Sequence, residues 1–236
     1  ELALFDGTPQ GTLLALDARA RQVEVTLQRQ PPRFQANISL DATVTPDTLW
    51  ESYVLRIVPE SGGLQRLLVQ FSNARPEPLQ WSFASDAADD DIVARRLSEP
   101  QRVEAGLSTD AEVWLLTWQR ARTTPFQLRA SRSVPFTEQQ MVVSLVSVPE
   151  ARQQQGEVHI WQFGAGNLSI DGQQLSAMYP DPLPPGESSL QRAAFTYDPG
   201  QHVSLAQALT ISRSSQASSA AKGLIWKAKL TSLCEP

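Results

Sequence analysis

The stretch SDAADDDIVARRL, residues 85–97, places Asp86, Asp89, Asp90 and Asp91 within six positions. Carboxylates at that density could hold a cation. Calcium, however, takes roughly six to eight oxygens, delivered at alternating positions around a glycine turn. No glycine stands nearby, and the D-x-[DN]-x-[DN]-G spacing is missing. The residues that follow offer a second reading. Ile92, Val93, Arg96 and Leu97 would share one side of a short helix. Aspartates before it would cap free N–H groups and complement the positive end of the helix dipole, and Arg95 and Arg96 the negative end. A connector helix of one or two turns is therefore the expectation, with a surface cation site or a solvated acidic loop as alternatives.

Other groups capable of chemistry are sparse. His159, in EVHIWQF, shares a strand face with Glu157, Trp161 and Phe163, and His202 follows the Pro199-Gly200 turn. A metal site would need the two to converge with a carboxylate; a surface or half-buried strand histidine is the expectation, with no metal and no cofactor. Glycoside hydrolysis needs two facing carboxylates. Glu51, Glu60, Glu104, Glu112, Glu150 and Glu157 could supply them, but none stands in a recognisable context. No G-x-S-x-G elbow and no phosphate-binding glycine loop occurs. The single cysteine, Cys234, lies two residues from the end, so no internal disulfide can form. No catalytic residue is assigned.

The six tryptophans are the better candidates. A flat indole can stack on a sugar ring or anchor a protein interface. Trp114 and Trp118 share one strand face with Leu116, as core residues would. Trp50, Trp81 and Trp161 sit beside polar residues and are the candidate contact residues for a ligand or partner.

The elements that must position these residues show period-two alternation. Val23, Val25 and Leu27 alternate with polar residues, as do Phe34, Ala36, Ile38 and Leu40; Phe126, Leu128 and Ala130; and Leu224, Trp226, Ala228 and Leu230. Such segments suit antiparallel strands with one buried and one wet face. YVLRIV (53–58), LLVQF (67–71) and MVVSLVSV (141–148) are apolar on both faces and read as central strands. PESGG (59–63), Asp171-Gly172 and YDPGQ (197–201) are turn signals, the Asp-Gly pair being the strongest hairpin cue. Residues 178–189 are too proline-rich for a sheet interior, and 213–222 read as a small polar loop. About twelve to fourteen strands at intervals of ~8–12 residues have the rhythm of a sandwich.

Bulk properties narrow the function classes. A net charge of −5, with basic residues scattered singly, leaves no footprint for nucleic acid. No run of about 18 apolar residues exists to span a membrane. The chain begins at Glu1 without a methionine and reads as a processed chain or an excised domain.

Short matches at offsets of 90 to 92 residues hint at duplication. Phe34-Gln35 recurs at Phe126-Gln127, Val58-Pro59-Glu60 at Val148-Pro149-Glu150, and Gln70-Phe71 at Gln162-Phe163. Chance similarity between β-rich segments is the alternative. The expected fold is all-β and antiparallel: two sandwich-like units, residues 1–124 and 125–236, or one large sandwich of two halves.

FQLRASRSVPF (126–136), VVSLVSVPEARQQQGEVHI (142–160) and RAAFTYDP (192–199) resemble segments of very large, uncharacterised bacterial cell-envelope proteins with β-rich extracytoplasmic regions. The resemblance covers mainly the second half and carries no catalytic residue. It implies a β-sandwich segment of a multidomain surface or periplasmic protein. The function expected is that of a non-catalytic structural or protein-interaction module, with protein neighbours or cell-surface polysaccharide as partners. A carbohydrate-binding module using exposed tryptophans is the alternative, and a hydrolase with a carboxylate pair the third.

Overall fold

Along β1 (Arg33–Val44) the even positions Phe34, Ala36, Ile38, Leu40, Ala42 and Val44 are all buried, and the odd positions between them are polar. The alternation fixes which face meets the core, because a slip of one residue would expose every buried side chain. A Pro46-Asp47 turn leads into β2 (Thr48–Ser61). Thr45 closes it, its N–H and hydroxyl both reaching the Thr48 carbonyl, at 2.9 and 3.1 Å. The computed structural model describes residues 31–84, 91–164, 167–178, 189–200 and 202–213. The alternations at 23–27 and 224–230, Asp86, Asp89, Asp90, Cys234 and most of the two expected loops lie outside the described residues.

The fold is all-β and sandwich-like. The largest sheet has seven strands in the order β12-β13-β10-β1-β2-β7-β4. Its members besides β1 and β2 are β4 (Gln80–Phe83), β7 (Phe126–Pro135), β10 (Gln153–Phe163), β12 (Ser176–Met178) and β13 (Ser189–Tyr197). A four-stranded sheet contains β5 (Val93–Arg96), β6 (Glu112–Arg122), β3 (Leu64–Phe71) and β9 (Val146–Ser147), in the order β5-β6-β3-β9. A three-stranded sheet contains β11 (Leu168–Asp171), β14 (Thr210–Arg213) and β8 (Gln140–Val142), in the order β11-β14-β8. All described pairings are antiparallel except β1 with β10. One apolar cluster draws on all three sheets, for example Leu55 and Leu128, Leu67 and Leu116, and Ile211. No helix of the described residues is long and apolar enough to cross a membrane.

Several elements differ from the sequence expectation. IVARRL does not form a helix: Val93–Arg96 is strand β5, paired antiparallel with β6. Helix nucleation is costly for so short a segment, and the open edge of β6 offers ladder partners at once. The helix comes later, as α1 (Glu99–Glu104), where Pro100 stands in its first turn and the Gln101 side chain accepts the Ser98 N–H at 3.1 Å. YVLRIV buries only Tyr53, Leu55 and Ile57, with Arg56 exposed. Asp171-Gly172 does form a turn, Leu175 N–H reaching the Gly172 carbonyl at 3.2 Å, but it leads from β11 in one sheet to β12 in another.

MVVSLVSV is buried along nearly its whole length, yet it is two short strands separated by a crossing between sheets. Side chains supply part of its backbone pairing. Ser144 N–H donates to Glu51 Oε1 at 3.0 Å, and Tyr53 hydroxyl to the Ser144 carbonyl at 3.1 Å. Leu145 N–H donates to Ser72 Oγ at 3.0 Å. The Tyr197 hydroxyl accepts the Val146 N–H at 3.2 Å and donates to the Val146 carbonyl at 2.9 Å. Buried backbone groups need partners, and here distant strands supply them.

The boundary expected at 124/125 falls in the link between β6 and β7. Strands from both sides of it share the largest sheet: β1, β2 and β4 from before it, β7, β10, β12 and β13 from after it. At the 92-residue offset β1 falls on β7 and β3 within β10, but β2 has no single-strand counterpart. Residues 140–153, the counterpart of the single 14-residue β2, hold the 3-residue β8 and the 2-residue β9.

Candidate functional site

The structure separates the three candidate tryptophans. Trp81 faces the core side of β4, where it meets Phe71 and Trp114 with ring centroids 6.2 and 6.3 Å away. Its polar neighbours Gln80 and Ser82 are the outward half of the alternation, so they mark the tryptophan as inward. Trp50 is the converse. Its neighbours Leu49 and Glu51 are buried, and its own side chain is turned outward, leaving the residue 51% exposed.

Trp161 joins Trp50 on the outer face of the seven-stranded sheet. Thr43 of β1 pairs with Trp50 of β2 on one side and with Trp161 of β10 on the other. The row continues to Ser133 of β7 and Gln191 of β13. Two strand spacings put the tryptophan backbones roughly 9–10 Å apart. The adjacent row holds Ser131, Ser52, Asp41 and His159. Side-chain contacts fix this face. Trp161 Nε1–H donates to Asp41 Oδ1 at 2.9 Å, and the Gln191 amide lies 3.0 Å from His159 Nδ1. His159 Nε2 stands 4.0 Å from Glu157. Phe163, 41% exposed two residues further along β10, adds a third ring. Toward the other end of the strands lies a polar depression of about 400 Å³, lined by Asn37, Ser39, Val54, Arg56, Gln127, Gln155 and Glu157.

Of the carboxylates considered for hydrolysis, Glu51 and Glu112 are brought together, but in a sealed position. Arg132 bridges them across the two sheets, Nε donating to Glu51 Oε2 at 2.6 Å and Nη1 to Glu112 Oε2 at 2.8 Å. All three side chains are inaccessible to solvent. Glu112 also accepts Trp114 Nε1–H at 2.8 Å and the Arg75 N–H at 3.1 Å. Burial lowers the proton affinity of Arg132, but the acidic groups around it, Tyr53 and Glu51 foremost, carry it above the ordinary value. Buried charges need paired, hydrogen-bonded partners, and every carboxylate oxygen here has one. The arrangement clasps one sheet to the other and leaves no room for a substrate.

The remaining carboxylates are dispersed. Glu60 takes a hydrogen bond from Gln35 at 2.7 Å and one from Arg152 at 3.4 Å, which hold its carboxyl below the usual range. Glu150 pairs with Arg66 at 3.6 Å. Among the described residues no group of three or more His, Cys, Asp or Glu could hold a metal ion.

Sequence reasoning did not mark the clasp, though a signal for it exists. Glu51 lies in phase with Leu49 and Tyr53, and Arg132 with Ala130 and Val134. Opposite charges on the apolar phase of two strands point to a buried pair. The partnership of Trp50 with Trp161 depends on β1 lying between β2 and β10, which no local pattern encodes.

No protein-family model matches the sequence, and no curated protein is similar to it. Among solved structures, a candidate protease from Parabacteroides distasonis aligns with 77% of this chain at 7% identity and a TM-score of 0.42. A mutant M1 zinc metallopeptidase from Deinococcus radiodurans, bound to a Tyr-Ser-Ala substrate, aligns with 76% at 9% identity and a TM-score of 0.35. The chain spans 40% and 42% of the lengths of those two proteins.

Proposed function

We propose that this chain is a non-catalytic β-sandwich module of a larger bacterial cell-envelope protein, making its contacts through the outer face of the seven-stranded sheet. The observation that carries the reading is the row Trp50–Thr43–Trp161, which holds large aromatic side chains on the solvent side of a sheet whose other side is already packed. A module that only filled space would gain nothing from an outward tryptophan there, and an exposed aromatic at the centre of a sheet is what an interface anchor needs. The sealing of Glu51 and Glu112 by Arg132 supports the non-catalytic part. The resemblance of residues 126–199 to envelope-protein segments supports the setting.

Hydroxyl-radical footprinting tests the reading. Oxidation of Trp50 should be at least several-fold lower in intact envelopes of cells that make the protein than in the isolated module. Val103, 59% exposed on α1, should be labelled equally in both. Equal labelling of Trp50 in the two states would overturn the proposal.

A further inference from the structure

We propose that the partner of this face is an extended, neutral, β-linked polysaccharide, with Trp50 and Trp161 stacking on alternate sugar rings. The inference rests on the outer sheet face being the contact surface, and it names the chemistry of what lies there.

Three observations carry it. The first is spacing. Trp50 and Trp161 are in register on either side of Thr43, roughly 9–10 Å apart across one intervening strand. That is comparable to the separation of alternate rings in a stretched β-linked glycan, whose successive units turn their faces in opposite directions. The second is what fills the gaps. The row itself offers Ser133 and Thr43, with Gln191 buried at its end, and the next row Ser131, Ser52, Asp41 and His159. Hydroxyl, amide, carboxylate and imidazole groups interleaved with aromatic planes match a ligand with apolar ring faces and a rim of hydroxyls. A protein interface would favour a contiguous apolar centre. The tryptophan row itself carries no formal charge, and the carboxylate beside it, Asp41, already accepts the Trp161 indole N–H, so the row complements a neutral ligand. The third is preorganisation. The Trp161 indole is tied to Asp41 at 2.9 Å, and Gln191 meets His159 at 3.0 Å. Groups already held in place lose less freedom on binding.

The test uses three hexasaccharides as probes, those of β-1,4-linked glucose, mannose and N-acetylglucosamine. Each is titrated against the full chain by tryptophan fluorescence and calorimetry, with the matching disaccharides alongside. At least one hexasaccharide should give a saturable signal, and its disaccharide should bind at least about tenfold more weakly because it cannot reach both indoles. Trp50→Ala and Trp161→Ala should each raise Kd about tenfold or more, with circular dichroism and melting unchanged. Arg56→Ala, in the polar depression, should leave Kd within about twofold of the parent chain.

No signal with any hexasaccharide would overturn the proposal, as would binding that survives both tryptophan variants or is lost in Arg56→Ala instead. Loss of sugar binding with footprint protection of Trp50 retained would discard the polysaccharide and keep the contact face. Absence of both would discard the two together.

Discussion

Tyr53 and Tyr197 each bury a phenol hydroxyl against the crossing segment, where it is the hydrogen-bond partner of Ser144 or Val146. Burial holds both hydroxyls protonated well above the ordinary tyrosine range, and the neighbouring Glu51 adds to this at Tyr53. Below about pH 10 the unfolded chain is protonated at these positions too, so their contribution to stability is whole. Above that pH the unfolded state ionises first and the contribution drains away. Denaturant melts should therefore show stability falling steeply above about pH 10. Tyr197→Phe should flatten that fall while costing about 1–3 kcal/mol at neutral pH, because the Val146 groups lose their partner. An unchanged alkaline profile in the variant would refute the assignment. At this scale the sequence was partly legible. The alternation that buries Tyr53 is plain, and the same alternation, read strictly, places Glu51 and Arg132 inside. Their pairing with Glu112 was not legible, because it spans two sheets.

At the scale of elements, one glycine decides how the crossing segment is held. Gly156 of β10 pairs with Tyr197 of β13, and a Cβ at Gly156 would lie only 2.2 Å from the Tyr197 ring. The missing side chain lets the ring lie across β10 and carry its hydroxyl to Val146. Gly156→Ala should therefore cost about 1–3 kcal/mol from overpacking, plus whatever is lost when the hydroxyl is displaced. Chemical denaturation can read the total, and Gly156→Ala combined with Tyr197→Phe should cost less than the sum of the single changes, since they damage one contact. The double-sided apolarity of MVVSLVSV correctly announced burial, but the single central strand it suggested is two short edge strands. Hydrophobic pattern reports what surrounds a segment and is silent on which groups satisfy its backbone. IVARRL failed for a related reason: its charge order suited a helix, but the vacant edge of β6 was a partner that only the fold reveals.

At the scale of the whole molecule, the largest sheet interleaves strands from distant parts of the chain, with β1 lying between β2 and β10. Fragments 32–124 and 125–213, expressed separately, should each lack cooperative unfolding, since either one leaves the central sheet with unpaired backbone. A cooperative transition in either fragment alone would contradict this dependence. The all-β class was legible from period-two alternation across most of the chain. Strand order was not, because pairings such as Thr43 with Trp161 join residues far apart in sequence, and the cost of closing such loops leaves no local trace.

The central place of β1 also has a mechanical meaning. It is 12 residues long and is hydrogen-bonded on both sides, to β10 and to β2. Tension applied at Arg33 along the strand axis would load both ladders in shear, so that many bonds resist together. The same tension drawn across an edge strand such as β12 would open its bonds one after another. A chain pulled from its β1 end would thus yield last at its own centre.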